Sequence, residues 1–166
     1  MARIKEQKIT PFLWFDTQAE KAARFYASTF KDSKILGISR YDEAGAKVSG
    51  MPKGSVMTVT FQILGQRFTA LNGGPVFKFS PAVSFVVSCE TQAEIDHYWK
   101  RLSAVPKAEQ CGWLQDKFGL SWQIVPSILP KMLQDKDKKK ASRVTAAFLK
   151  MKKFDIKELE NAYKGK

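Results

Sequence analysis

The chain has 166 residues, 44% hydrophobic, 12% aromatic and 27% charged, a balance that fits one globular domain able to close a core without staples. A single histidine, His97, and two cysteines, Cys89 and Cys111, exclude a multi-histidine metal site and a disulfide framework. No apolar run reaches about 18 residues, so no transmembrane helix is expected, and Met1-Ala2-Arg3-Ile4-Lys5-Glu6 has no apolar leader core, so a cytoplasmic protein with reduced thiols is expected.

In chain order, Gln7 to Phe15 predicts a strand with apolar residues on both faces. Asp16 or Thr17 is then placed to cap a helix, with Glu20 completing a capping box and Ala22, Ala23, Phe25, Tyr26 and Phe30 on its inner face. Ser33 to Tyr41 and Ser55 to Leu64 predict further strands. The second alternates Val56, Thr58, Thr60 and Gln62 against Met57, Val59, Phe61 and Ile63. Gly65-Gln66 is a tight turn, Arg67 to Leu71 returns, and Asn72-Gly73-Gly74-Pro75 breaks the pattern.

The pattern then begins again. Pro81 to Cys89 predicts a strand, and Glu90 or Thr91 a helix cap before Ile95, Tyr98, Trp99 and Leu102. Thr17-Gln18-Ala19-Glu20 is repeated as Thr91-Gln92-Ala93-Glu94. Gly112 to Gln115 and Gly119 to Val125 follow as a turn-linked pair, aligning Phe68 with Trp122 and Thr69 with Gln123. The fold class expected is α+β, with two paired βαβββ modules over residues 8–75 and 81–126. Neither buries a core alone, and together they would form a curved mixed sheet around a cleft within a single domain spanning 1–166.

Residues 127–166 form a basic C-terminal extension. Val144, Ala147, Phe148 and Met151 share one helical face, and Asp155 with Glu158 marks another helix start. Burial is expected for Val144, Phe148 and Met151. The net formal charge of +12 is concentrated here, where residues 131–166 carry twelve Lys or Arg against five Asp or Glu. Solvated lysines at Lys138, Lys139 and Lys140 are the expected reading. Neither a zinc-finger spacing, a glycine-rich phosphate loop nor an RNA-binding aromatic motif is present, so nucleic acid is not the expected partner.

The segments Ile9-Thr10-Pro11-Phe12-Leu13-Trp14-Phe15, Ala70-Leu71-Asn72-Gly73-Gly74-Pro75, Cys111-Gly112-Trp113-Leu114-Gln115-Asp116, Ser121-Trp122-Gln123-Ile124-Val125-Pro126 and Met151-Lys152-Lys153-Phe154-Asp155-Ile156 carry a resemblance over residues 8–163. In them the chain resembles the vicinal oxygen chelate superfamily of glyoxalases, bleomycin-resistance proteins and dioxygenases. A closer resemblance is to its PhnB-like branch, often labelled demethylubiquinone methyltransferase. The resemblance implies paired βαβββ modules, a cleft and a homodimer. In metal-using members it implies a divalent ion at positions that fall here on Thr10 (or Pro11), Thr69, Ser84 and Gln123. None of these is His, Asp or Glu, the donors such ions need, so no metal is expected. A nucleoside-cofactor methyltransferase would show a glycine-rich turn after its first strand. Here that turn reads Asp16-Thr17-Gln18, and no cofactor is expected.

Aromatic walls with a few hydroxyls and amides describe a small-molecule pocket. The candidate ligand-binding residues are Phe12, Trp14, Phe68, Asn72, Ser84, Trp113, Trp122 and Gln123, and the expected function is metal-independent binding of a small planar or apolar molecule. Two alternatives stand beside it. One is a lyase or isomerase using either a metal recruited elsewhere or Asp116 and Cys111 as acid–base groups. The other is a binder of nucleic acid or another anionic surface through the lysine-rich tail. His97 lies within a helix and is not assigned to the site.

Overall fold

The computed structural model describes residues 7–166. The first six residues, with the leader reading made from them, lie outside the described residues. The described residues divide into two compact units, the first ending at Lys78 and the second beginning at Phe79.

The first unit is a four-stranded sheet with one helix on its inner face. Its elements are β1 (Phe12–Phe15), α1 (Ala19–Thr29), β2 (Lys34–Arg40), α2 (Glu43–Ser49), β3 (Val56–Ile63) and β4 (Gln66–Asn72). The strand order is β1-β4-β3-β2, with β1 parallel to β4 and the other pairs antiparallel. Alternation sorts the side chains onto two faces. Leu13, Phe15, Val59, Phe61, Phe68 and Ala70 are buried on the inner face. The small residues Ala19, Ala22 and Ala23 let α1 approach, and Tyr26 stacks on Phe61, which stacks on Phe68, with ring centroids 6.1 and 5.5 Å apart. The β3–β4 hairpin turns at Leu64 and Gly65, both at positive φ (47° and 82°), the backbone a two-residue hairpin needs.

Three local readings change. β1 begins at Phe12, five residues later than the apolar run, because Pro11 has no N–H for a ladder. α1 is capped by neither Asp16 nor Thr17. Its first residue, Ala19, donates its N–H to Asn72 Oδ1 at 2.7 Å, across 53 residues of chain. Between β2 and β3 lies α2, which apolar periodicity did not reveal because none of its residues is buried. It is held by its ends, with Asp42 accepting from Gly45 N–H and Gly50 closing it at φ 73°.

The second unit repeats the plan with one strand fewer. β5 (Ser84–Cys89), α3 (Gln92–Leu102), β6 (Trp113–Gln115) and β7 (Ser121–Pro126) form a sheet of order β5-β7-β6 with α3 packed on it. Thr91 caps α3 by accepting from Glu94 N–H at 3.2 Å, while the Glu94 carboxylate accepts from Glu90 N–H at 2.7 Å. The α+β class, with a helix packed on each small sheet, stands. The fourth strand expected in this module is replaced by residues 103–112, which contain a 3-10 turn at Pro106–Ala108. That segment still occupies the free edge of β6: Ala104 N–H donates to Gln115 O, and Gln110 bridges to Trp113. The edge is covered without a continuous strand.

The chain continues into α4 (Leu129–Leu133), α5 (Lys138–Phe148) and α6 (Ile156–Lys164). Asp137 and Asp155 cap α5 and α6. Val144 and Met151 are buried as expected, whereas Phe148 is only half-buried. Lys138 and Lys139 are exposed. Lys140 lies 5.1 Å from the centroid of the Tyr163 ring, a cation–π contact. Among the described residues no helix is long and apolar enough to cross a membrane.

Candidate functional site

The register assigns every candidate side chain to a face. On the first sheet, the face turned away from α1 carries Phe12 and Trp14 of β1, Thr69 and Leu71 of β4, and Thr58 and Thr60 of β3. Phe12 is 60% exposed. Trp14 is held in place: its indole N–H donates to Gly74 O at 2.9 Å, and Phe77 meets its ring edge-on at 5.0 Å. Its ring also lies so close to Gly73 that a Cβ there would sit 2.2 Å from it, so the Asn-Gly-Gly-Pro break is what lets the indole lie flat on the chain.

Phe68 and Asn72 belong to the opposite, core face of the same strand. Asn72 is buried, and its groups are already bonded. Its Oδ1 accepts from Ala19 N–H, its Nδ2 donates to Val56 O at 3.0 Å, and its carbonyl accepts from the Tyr41 hydroxyl at 2.5 Å. It ties α1, β3 and the start of α2 to the end of β4.

On the second sheet, Ser84, Val86, Ser121, Gln123, Trp113 and Gln115 share the face turned away from α3. Gln123 Nε2 donates to Ser84 Oγ at 2.9 Å, and Trp113 is Gln123's cross-strand neighbour. A groove of about 440 Å³ opens beside β6 between Pro81, Val105, Lys107, Gln110, Trp113, Gln115 and Ser121, a volume within the small-molecule range. Trp122 lies on the other face, 2% exposed, with its indole N–H on Asp116 Oδ2 at 2.8 Å. The structure therefore brings Ser84, Trp113 and Gln123 together, places Phe12 and Trp14 on the corresponding face of their own module, and puts Phe68, Asn72 and Trp122 in the cores. Gln115 and Ser121, at the groove, went unread. Their signal was available, because Ser121 stands two residues before Gln123 and so shares its face.

The acid–base candidates are occupied by structural work. Asp116, 1% exposed, accepts from Phe118 N–H and Leu120 N–H through Oδ1 and from Trp122 through Oδ2. The Cys111 thiol donates to Phe148 O at 3.6 Å and accepts from Gln110 Nε2. Burial, reinforced by Glu94 and Glu90, pushes the Cys89 thiol up to about 12, which suppresses the reactive thiolate. His97 lies edge-on to Tyr98 on α3.

The metal positions of the resembling superfamily do not fit an ion here. Thr10, Thr69, Ser84 and Gln123 offer only neutral oxygens, and the Gln123 amide is hydrogen-bonded to Ser84. Among the described residues no group of three or more His, Cys, Asp or Glu is arranged to hold a metal.

Two segments forty residues apart meet at the start of β6. Cys111 N–H and Gly112 N–H donate to Met151 O and Lys152 O, and Ile124 N–H donates to Gly112 O. The ring of Phe154 fills the space where a Gly112 Cβ would stand, 2.3 Å from that position. The Cys-Gly-Trp and Lys-Lys-Phe-Asp segments thus form one structural unit.

Comparison with known proteins agrees with this architecture. A family model described as 3-demethylubiquinone-9 3-methyltransferase matches residues 7–125. A solved structure described as a putative 3-demethylubiquinone-9 3-methyltransferase, PhnB protein, from Bacillus cereus is 40% identical; the match covers 72% of this chain and 99% of that one, with a TM-score of 0.60. A Pseudomonas aeruginosa protein, 16% identical over 73% of this chain and 98% of its own, shares the fold with a TM-score of 0.54. No curated protein matches. With most of its length matched and the two modules in place, the chain belongs to the PhnB-like family described as 3-demethylubiquinone-9 3-methyltransferase.

Proposed function

We propose that the chain is a small-molecule-binding protein whose ligand is uncharged and planar, received in the groove beside Trp113 and reaching toward Gln123 and Ser84. The observation that carries this reading is the chemistry of that sheet face. Every residue at its paired positions, from Ser84 and Val86 through Ser121 and Gln123 to Trp113 and Gln115, is neutral. An aromatic wall beside amides and hydroxyls suits a flat ring with a carbonyl or hydroxyl; the sheet face itself offers no counter-charge to an ionised group, and the one charged side chain lining the groove, Lys107, is exposed on the 3-10 turn at its edge. Phe12 and Trp14 offer a second aromatic surface in the first module.

Methyl transfer, which the family description names, has little support among this chain's own residues. The β1–α1 turn has no glycine, and the first N–H of α1 is taken by Asn72.

A thermal-shift screen of neutral aromatic carbonyl and hydroxyl compounds against the full chain tests the proposal. A ligand at 100 times its dissociation constant adds about 2.7 kcal/mol of stability. Trp113→Ala and Gln123→Leu should each abolish the shift for a true ligand, and Gln123→Leu should leave the unliganded protein as stable as before. A ligand unaffected by both substitutions, or a screen answered only by charged compounds, refutes the reading.

A further inference from the structure

The groove beside β6 has a wall that the sheet does not supply. Val105, Lys107, Ala108 and Gln110 line it, and all four belong to the segment that stands where a fourth strand would run. This wall is tied to the sheet near its two ends, by Ala104 N–H on Gln115 O at 3.0 Å and by the exchange between Gln110 and Trp113. Between those ties its backbone bonds run within the 3-10 turn, from Ala108 N–H to Val105 O and from Glu109 N–H to Pro106 O. A segment tied this sparsely opens locally at small cost unless side chains close it.

Glu109 closes it. Its Oε1 accepts from the Ser103 hydroxyl at 2.6 Å, which joins the two ends of the wall across the turn. Its Oε2 faces Lys152 Nζ at 3.7 Å, and the Glu109 side chain is 18% exposed. A carboxylate withdrawn this far from water depends on its donors more than a surface one does. Beside it, Gln110 Nε2 donates to Leu149 O at 3.2 Å. Leu149 and Lys152 follow α5, beyond residue 125, where the family match ends. The wall is therefore fastened to a part of the chain outside that match.

Resting on the reading of the groove as a binding site, we propose that Glu109 is its positioning residue, and that through Lys152 the C-terminal helices regulate how tightly the groove holds a ligand. Glu109 acts through the wall and is not part of the lining. With Ser103, Glu109 and Lys152 joined, Val105 and Ala108 meet the ligand in one arrangement, and the charge of Lys107 is carried on the same ordered turn. With the clasp open, ordering the wall becomes part of each binding event and lowers affinity.

Two measurements on the full chain test this: amide hydrogen exchange without ligand, and fluorescence titration with Prodan, a neutral planar naphthyl ketone. Trp113→Ala should abolish Prodan binding. Glu109→Ala should speed exchange at Ala104, Ala108 and Gln110 about tenfold while β7 is unchanged. It should weaken Prodan about fivefold while the melting temperature falls by no more than about 3 °C. Lys152→Met should weaken Prodan about threefold, the size of a partly exposed ion pair, and about 0.5 M NaCl should bring the parent to the same affinity. Glu109→Lys combined with Lys152→Glu should recover most of the loss. Unchanged Prodan affinity in Glu109→Ala, or unchanged exchange at the three amides, overturns the role of Glu109 and leaves the groove reading standing. Equal affinity in Lys152→Met and the parent at low salt overturns the regulation by the C-terminal helices. Prodan binding that is absent, or that survives Trp113→Ala, removes the groove reading and the proposal with it.

Discussion

Gly112→Ala is the sharpest test of the way the C-terminal helices are joined to the second module. The position has φ 82°, and an added Cβ would stand 2.3 Å from the Phe154 ring and 2.9 Å from Ile124 O. Left-handed backbone costs an alanine about 1–2 kcal/mol. The steric conflict must then be relieved by moving Phe154, which is 2% exposed; deleting such a ring costs about 3–5 kcal/mol. Expelling it in part adds about 1–3 kcal/mol, so Gly112→Ala should lose about 2–5 kcal/mol. That is a large share of a typical domain's stability of about 5–15 kcal/mol. Phe154→Ala alone should lose about 3–5 kcal/mol. In the double variant the clash with the ring is gone, so the combined loss should fall short of the sum by about 1–3 kcal/mol, a coupling expected only of residues in contact. Urea denaturation followed by circular dichroism measures all three, with Phe154→Leu as the milder variant if Phe154→Ala does not fold. Strict additivity, or a loss below about 0.5 kcal/mol for Gly112→Ala, would show that the ring does not occupy the glycine's space.

Three further outcomes follow from the packing and charge of the same unit. Asp116→Ala leaves two backbone N–H groups and the Trp122 indole without their acceptor, and at about 1–3 kcal/mol for a buried unsatisfied donor it should lose at least about 3 kcal/mol by urea denaturation, with Trp122→Phe recovering part of the loss. The Cys89 thiol should resist a thiol-specific reagent at pH 8 until the chain is unfolded. Its folded value, raised to about 12, means that its stabilising contribution is complete below the unfolded value of about 8.5 and is lost as pH rises toward 12; rapid native labelling at Cys89, resolved by peptide mass, contradicts this. Converting Lys138 and Lys139 to glutamine should change stability by no more than about 0.5 kcal/mol, as for exposed sites, and a larger loss would show that they hold the fold.

What the sequence makes legible is periodicity. The two strand–helix–hairpin modules, the inner face of α1 and the Asp155 cap all follow from residues close together in the chain. The face assignments in β7 were also within reach. The repeat aligns Phe68 with Trp122 and Thr69 with Gln123, so Trp122 and Gln123, being adjacent, point to opposite sides. Reading both into one pocket conflicts with that alternation, and the structure places Trp122 with the core and Gln123 beside Ser84. The helix α2 was illegible because it buries nothing. Asn72 as the cap of α1, and Phe154 as the group filling the space above Gly112, are long-range pairings for which one sequence gives composition but no partner.

The Asn72–Gly73 step has a consequence for how the protein ages. In a flexible peptide an asparagine followed by glycine deamidates readily, because the glycine nitrogen can swing round to attack the side-chain carbonyl. Here that nitrogen donates to Phe15 O at 2.9 Å, and the asparagine amide is held between Ala19 N–H and Val56 O. Neither reactant can rotate into line while β1, β4 and α1 stay assembled. An aspartate formed at this position would turn a carboxylate oxygen toward Val56 O, where an N–H now donates. Each interval spent unfolded therefore exposes the chain to a slow, irreversible mark, and the product refolds less well than the molecule it replaced. A one-dalton mass increase at Asn72 would accordingly record a sample's cumulative history of unfolding.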